Sequence, residues 1–194
     1  MDAATAFSLN LARRLDFLFA LSNQPDQIEE NPARNGVTSD VPNASPRRRV
    51  NNRLFPARPI LAASVAVFRQ GRVMIGRRAR APLAGYYSLP GGGVEAGETL
   101  REAALRELFE EVGLEADIIG FIDHVEPIAF EGARVRTHFV IAAFAARWRS
   151  GQARVGEEID DFAWIEPGRI GEFLTTPELP RLIAEASLLE RSRP

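Results

Sequence analysis

From Pro59 onward the chain alternates short apolar runs with polar turns, which is the pattern of a sheet with helices. The runs ILAASVAVFRQ and RVMIGRR are apolar and partly β-branched, and Gln70-Gly71 between them predicts a hairpin. Tyr86 to Leu89 predicts a short third strand, which ends at Pro90 and three glycines. From Thr99 to Val112 the apolar positions recur at helical spacing, so the glycine-rich loop is expected to lead directly into a helix.

After this helix, three more apolar segments predict three further strands. They are Ala116 to Val125, Val135 to Trp148 and Asp161 to Ile165, with a turn at Glu131-Gly132. The second is long and apolar enough for a central strand. A short helical piece is expected after Pro167, and then an amphipathic helix from about Pro177 to Leu189, with Thr176 as its N-cap. The predicted fold class is α/β (α+β), with a mixed β-sheet between α-helices.

The segment before Pro59 has a different composition. Residues 5–21 carry apolar side chains at helical spacing, interrupted by charges, which predicts a short amphipathic helix. We expect it to dock on its own domain or on a partner subunit, and a targeting or membrane-surface role is the alternative. The following stretch is rich in Pro, Asn, Ser and charge, as flexible linkers are. We therefore divide the chain into a helix at 1–22, a linker at 23–58 and a domain at 59–190.

Composition restricts the chemistry. The 24 basic and 26 acidic residues leave a net charge of −2, so the total charge does not favour nucleic-acid polymers or anionic membranes as partners. No apolar run is long enough to span a membrane. The chain has no cysteine, which excludes disulfides, a thiolate nucleophile and a Cys-ligated zinc. The chemistry must therefore come from oxygen and nitrogen groups.

The segment GGVEAGETLREAALRELFEEVGL, residues 92–114, carries the most specific pattern in the chain. Its spacing resembles the Nudix signature at every fixed position: Gly92, five residues, Glu98, seven residues, Arg106-Glu107-Leu108, then Glu110-Glu111, Gly113 and Leu114. The resemblance implies the Nudix fold, a mixed sheet sandwiched between helices, over about residues 60–188. It also implies a hydrolase of diphosphate linkages in nucleotide-like substrates.

Three glutamates of this segment are candidates for binding a metal ion. Glu107, Glu110 and Glu111 are related by i, i+3 and i+4, so their carboxylates project from one face of the predicted helix. Like charges at this spacing need a cation, and oxygen ligands suit Mg²⁺, with Mn²⁺ as a substitute. The resemblance implies the same metal-binding and base-forming roles for these glutamates. It also implies structural support of the site by Gly92 and by an Arg106–Glu98 pair.

A base that accepts a proton from the attacking water is also required. Among relatives this group is either a glutamate of the helix or one on a distant loop, so the motif does not locate it. The segment GEEIDD precedes a predicted strand, and we nominate Glu158, then Glu157, as the loop carboxylate. A plain exposed loop is the alternative.

Substrate contacts are predicted from residue type alone. Arg77 and Arg78 end the second strand, and their guanidinium groups suit phosphate oxygens. Tyr87 precedes the glycine turn and is a candidate for stacking on a base. For these arginines the alternative is surface charge, and for the tyrosine it is core packing.

The segments around the signature resemble the ADP-ribose pyrophosphatase-like subgroup, so we expect an ADP-ribose-like substrate. Two alternatives remain open: a nucleoside triphosphate hydrolase that clears unwanted nucleotides, and a Nudix-fold module that senses a nucleotide without cleaving it. We expect a small-molecule nucleotide as the partner, a cytoplasmic location and a homodimer as one possible assembly.

Overall fold

The computed structural model describes residues 53–192, so the predicted N-terminal helix and most of the predicted linker lie outside the described residues. The elements, in chain order, are β1 (Ile60–Arg69), β2 (Arg72–Arg78), β3 (Tyr87–Ser88), β4 (Gly91–Gly93), α1 (Leu100–Val112), β5 (Leu114–Val125), β6 (Ile128–Glu131), β7 (Arg134–Gly151), β8 (Ile159–Ile165), a 3-10 helix (Pro167–Glu172) and α2 (Leu179–Arg191).

The strands form one mixed sheet. Its main path runs β3-β2-β1-β7-β5, while β4 pairs with β1, β6 with β7 and β8 with β2. Strands β1 and β7 are parallel, and β5 is antiparallel to β7. The long apolar segment predicted as a central strand therefore lies between two neighbours, as expected.

The two helices cover opposite faces of this sheet. Side chains alternate along β1, so that Val65 and Val67 face α1 while Ala66 and Phe68 face α2. Helix α1 buries four residues on its side: Ala103, Ala104, Leu108 and Val112. Helix α2 buries five on the other: Leu179, Leu182, Ile183, Ala186 and Ser187. The predicted sandwich of a mixed sheet between helices is confirmed.

The first hairpin is confirmed, but its two strands pair with each other only next to the turn. Gln70 and Gly71 turn the chain with φ angles of 53° and 74°, as a two-residue turn requires. Strands β1 and β2 then pair only at Phe68–Val73 and Arg69–Arg72. Farther along, β2 pairs with β8. The three glycines pair with Ala62–Ser64 of β1, which holds the glycine segment against the sheet.

Strand β4 corrects the prediction that these glycines only form a loop. A Cβ on Gly91 would collide with the carbonyl oxygen of Ala63 and with Ser64, so glycine permits this close antiparallel pairing. Strand β6 also falls where only a turn region was predicted, and it pairs with the start of β7.

The last helix begins later than predicted. Its N-cap is Glu178, and the proline of its first turn is Pro180 instead of Pro177. Thr176 does not cap the helix; its backbone N–H donates to the carbonyl of Tyr87 at 3.0 Å, which ties the segment to β3. The short 3-10 helix after the eighth strand is confirmed. Within residues 53–192, none of the helices has the length and apolar character needed to cross a bilayer.

Candidate active site

Helix α1 is fixed at both ends, which determines where its charged face points. At the N-terminus, Thr99 Oγ1 accepts the N–H of Glu102 at 3.2 Å, and the Glu102 carboxylate accepts the N–H of Thr99 at 2.8 Å. At the C-terminus, Gly113 has φ 72° and donates its N–H to Phe109. The caps set the helix bounds within which the signature glutamates are placed.

Arg106 joins the helix to the glycine-rich loop. Its Nε and Nη2 donate to the two carboxylate oxygens of Glu98 at 3.0 and 2.7 Å. Nη2 also donates to the carbonyl of Gly93 at 2.9 Å. This two-pronged ion pair is the contact that the family resemblance implies, and it fixes the loop on the helix.

The same guanidinium reaches two of the signature glutamates. Arg106 Nη1 donates to Glu107 at 2.8 Å and to Glu110 at 3.1 Å. The Glu107 side chain is only 13% exposed, whereas that of Glu110 is 52% exposed. Hydrogen bonds from the guanidinium to Glu98 and Glu107 raise the pKa of Arg106, despite partial burial. Arg106 therefore orients the acidic face and stays charged.

Glu111 lies deeper, between α1 and the glycine strand. Its Oε2 accepts the backbone N–H of Gly91 at 3.0 Å. Burial raises the pKa of Glu111 to about 7, helped by repulsion from Glu158 and Glu107, while the Gly91 N–H and the Arg78 charge act in the opposite direction. A buried carboxylate with a perturbed pKa among other charges is typical of a functional site.

Gly92 leaves room for Glu107. A Cβ placed on Gly92 would lie 2.5 Å from Glu107 Cδ and 2.6 Å from both carboxylate oxygens. These separations are too short for any side chain to fit without displacing the carboxylate. The first glycine of the signature therefore has a packing reason that the sequence pattern alone does not reveal.

The three helix glutamates differ in surroundings. Glu107 and Glu111 act on each other electrostatically, while Glu110 is directed toward Arg106 at the surface. Across residues 53–192, no group of three or more His, Cys, Asp or Glu side chains is arranged so that it could hold a metal ion. The repulsion that Glu111 receives from Glu107 and Glu158 would be relieved by a cation, and carboxylate oxygens are the donors that Mg²⁺ prefers. The charge and the oxygen donors of these residues therefore suit a divalent cation, and the assignment of each ligand stays a prediction.

The two adjacent loop carboxylates nominated from sequence have different surroundings in the fold. Glu157 is 85% exposed and forms an ion pair with Arg80 at 2.6 Å. Glu158 has its backbone carbonyl bound by the N–H of Ala79 at 2.9 Å, and its charge acts on both Glu111 and Arg78. Of the two, Glu158 is the one associated with the acidic site.

The candidate substrate residues also differ in the contacts that they make. Arg77 pairs with Asp160 at 2.7 Å, and the Tyr87 hydroxyl donates to Asp161 at 2.7 Å while its ring packs edge-on against Phe173. These two side chains hold strands together in the described domain. Arg78 instead lies in the electrostatic neighbourhood of Glu111 and Glu158, and burial lowers its pKa despite these carboxylates. Their roles toward a substrate stay predictions.

The backbone N–H of Gly91 was not identified from the sequence. The signal for it was present in the three successive glycines, since a backbone without side chains can approach a carboxylate closely. The site as a whole combines a clamped loop, a buried carboxylate, further carboxylates and an adjacent arginine. Such a set is able to bind a divalent cation, neutralise a phosphate group and accept a proton.

The fold and this site define a Nudix hydrolase. The chain belongs to the Nudix family, because the family model described as NUDIX domain matches residues 58–186. It is therefore a pyrophosphatase-type enzyme with a domain that begins at the end of the predicted linker.

Individual relatives support the same class. The chain is 35% identical to the Putative 8-oxo-dGTP diphosphatase 2 of Mycobacterium tuberculosis, covering 54% of this chain and 79% of that protein. It is 31% identical to the RNA pyrophosphohydrolase of Erythrobacter litoralis, covering 59% and 74%. Among solved structures, a MutT NUDIX hydrolase from Burkholderia pseudomallei is similar with a TM-score of 0.57 and 26% identity, covering 66% of this chain and 98% of that one.

Proposed function

We propose that this enzyme hydrolyses a diphosphate linkage within nucleoside triphosphates or related 5′-triphosphate compounds, with Mg²⁺ as its cofactor and Mn²⁺ as a substitute. The observation that carries the hydrolase function is the position of Glu111. Its partly buried carboxylate accepts a hydrogen bond from the glycine strand and lies within electrostatic range of Glu107, Glu158 and Arg78.

The chain's own residues divide the work. Glu107 and Glu111 would hold the metal ion, with Glu110 as a further ligand. When bound, the metal would neutralise the diphosphate charge and lower the pKa of a water molecule. Arg106 holds Glu98 and Glu107 in place, so the loop and the helix do not reorganise as charge develops. Arg78 presents positive charge to a phosphate group from the end of β2.

Glu158 is the proposed general base. It lies on a loop bonded to Ala79, and its charge reaches Glu111, so a water near the acidic helix would also be near this carboxylate. A glutamate of the helix, Glu107 or Glu110, is the alternative base. The base is the glutamate whose substitution lowers the rate of hydrolysis without weakening the binding of the metal ion.

The choice of substrate class rests on relatives. Two of the relatives are named a putative 8-oxo-dGTP diphosphatase and an RNA pyrophosphohydrolase, and the first name favours a triphosphate. The ADP-ribose-like substrate expected from the subgroup resemblance is the second candidate, because the segments around the signature favour it. The third candidate is a module that senses a nucleotide without cleaving it. We expect the enzyme to act as a cytoplasmic protein on small molecules.

The test is phosphate-product release by the purified chain with magnesium. The panel contains dGTP, 8-oxo-dGTP, a 5′-triphosphate RNA, ADP-ribose and a dinucleotide, each assayed beside the Glu111→Gln variant. Turnover of triphosphates that is lost in the variant supports the proposal. Turnover confined to ADP-ribose makes the second candidate correct. Nucleotide binding without turnover of any compound favours the sensor.

The matched control for this variant is Glu102→Gln. Glu102 is on the same helix but serves the N-terminal cap, where glutamine is also accepted. Activity should survive this change. If both variants lose activity equally, the loss reflects the helix and not the site.

A further inference from the structure

The β7–β8 loop, residues 152–158, lies against the C-terminal end of helix α1. The N–H of Arg154 donates to the carbonyl of Val112 at 3.0 Å. The last carbonyls of a helix have no partner within the helix, so the loop supplies one of the missing donors. A Cβ built on Gly156 would lie 3.4 Å from the carbonyl oxygen of Glu111. The loop is therefore in direct contact with the turn of the helix that carries Glu111.

Two further backbone hydrogen bonds fix the other end of this loop. The N–H of Gly156 donates to the carbonyl of Ile159 at 2.7 Å, which closes a short turn around Glu157 and Glu158. The N–H of Ala79 donates to the carbonyl of Glu158 at 2.9 Å. Glu158 is thus attached on one side to the residue that follows β2. On the other side it is attached, through Gly156, to the end of α1.

The residue after Glu158 is anchored in the core. Ile159 is only 3% exposed and belongs to the apolar cluster on the α1 side of the sheet. It pairs with Arg78 of β2. A Cβ on Gly76 would lie 2.6 Å from Ile159 Cδ1, so glycine makes room for this side chain. These contacts place the backbone of Glu158 between the end of β2 and the last turn of α1, which is the turn that carries Glu111.

The position of the Glu158 carboxylate depends on these backbone bonds, because the residue itself is exposed. An exposed side chain is not held by packing, so its reach is set by the backbone from which it extends. The bond from Gly156 is the one that limits the turn around Glu158. Its loss would let the turn open while Ile159 stays in the core.

We propose that Gly156 is a positioning residue: the hydrogen bond from its N–H to Ile159 holds Glu158 where it accepts a proton from the attacking water. The inference rests on the proposed function, which makes Glu158 the general base. Gly156 contacts no reacting group in this scheme and acts only through Glu158. It lies outside the signature segment 92–114, so the family pattern does not point to it.

The experiment compares two substitutions at this one position. Proline removes the N–H of residue 156, whereas alanine keeps it, and the φ angle of Gly156 lies outside the left-handed region, so alanine fits without strain. Gly156→Pro should lower kcat about 10- to 100-fold, as a displacement of about 1 Å does, with little change in KM. Gly156→Ala should restore most of the rate. The affinity for Mn²⁺, measured by electron paramagnetic resonance, should be unchanged in both variants.

A double-mutant cycle shows whether Gly156 acts through Glu158. In the Glu158→Gln background there is no base left to misplace, so adding Gly156→Pro should change kcat by less than about threefold. A defect that acts on the helix or on the metal ion would instead multiply with the loss from Glu158→Gln. All variants are assayed as the full chain, on the same triphosphate substrate with magnesium.

Circular dichroism melting establishes that each variant is folded. If Gly156→Pro does not fold, Arg154→Pro replaces it, because it removes the bond from the loop to Val112, and Arg154→Ala keeps that bond. The same loss of kcat and the same absence of a further loss in the Glu158→Gln background are expected.

The outcomes separate this inference from the proposed function. A folded Gly156→Pro with the wild-type kcat, or losses that multiply in the double variant, would overturn the role of Gly156 while Glu158 remains the base. A Glu158→Gln variant with the wild-type kcat would make the base assignment wrong, and the role of Gly156 with it. An equal loss of kcat in Gly156→Ala and Gly156→Pro would show that the N–H is not the cause.

Discussion

Arg106 and Glu98 are joined by two hydrogen bonds, at 3.0 and 2.7 Å, between a residue on the helix and a residue on the loop that precedes it. The same guanidinium binds the carbonyl of Gly93 and the carboxylate of Glu107. A single side chain therefore connects the glycine strand, the loop and the acidic face of the helix.

The connection predicts how stability changes in acid. The Arg106 hydrogen bonds, with help from the N–H of Glu95, hold the pKa of Glu98 at about 2, below its ordinary 4.5. The unfolded chain therefore takes up a proton between pH 4.5 and about 2 that the folded chain does not. The stabilisation of the fold by the ionised Glu98 is present above this pH window and is lost as the pH falls through it.

In Glu98→Gln this proton uptake is absent. The variant should be less stable than wild type at neutral pH, and its free energy of unfolding should fall less steeply in the acid window. Urea unfolding at a series of pH values measures both quantities. Glu166→Gln, which changes an exposed carboxylate after β8, should keep the wild-type slope. Identical slopes for wild type and Glu98→Gln would contradict the assignment.

Gly92→Ala should disable the site while the fold persists. The added Cβ would lie 2.5 Å from Glu107 Cδ, so the carboxylate must move away from its position. We expect kcat/KM to fall about 10- to 100-fold, as for other changes that displace the support of a metal ligand. The melting temperature, measured by circular dichroism, should change much less than the activity.

The control for this substitution is the neighbouring glycine. A Cβ on Gly93 would meet no heavy atom within 4 Å. Gly93→Ala should therefore retain most of the activity. Equal loss in both variants would show that the glycine strand itself, and not the room for Glu107, is the cause.

Substitutions of the two adjacent loop carboxylates should have different effects on the rate of hydrolysis. Glu158 acts on Glu111 and Arg78, whereas Glu157 pairs with Arg80 at the surface. If Glu158 is the base, Glu158→Gln should lower kcat about 100-fold or more and change KM little. Glu157→Gln should be close to wild type. Steady-state kinetics on the same triphosphate substrate measures both, and a Glu158→Gln variant with normal kcat would make a helix glutamate the base.

Tyr87→Phe separates a structural role from a substrate role. The hydroxyl donates to Asp161 at 2.7 Å, so its removal should cost about 1 kcal/mol of unfolding free energy. The ring that packs on Phe173 is kept, and so is any stacking surface. We expect KM to remain unchanged, as judged by initial rates. A large rise in KM with normal stability would instead show that the hydroxyl contacts the substrate.

Much of the local architecture follows from the sequence. The hairpin at Gln70-Gly71 and helix α1 were predicted correctly, because turn residues and helical periodicity act over a few neighbouring positions. The strand at the three glycines and the late start of α2 were not. Glycine carries no side-chain preference for a strand, and the backbone of Thr176 bonds to the distant Tyr87, a contact that no local pattern predicts.

By itself the sequence determined the family, the spacing of the helix glutamates and their common helix, since all of these depend on order along the chain. Only the tertiary structure decided which charges meet. It joined the partly buried Glu111 to the backbone of Gly91, and it paired Glu157 with Arg80 while Glu158 acts on Glu111. These contacts join residues far apart in the chain, and their strength depends on burial and distance, which no local pattern encodes.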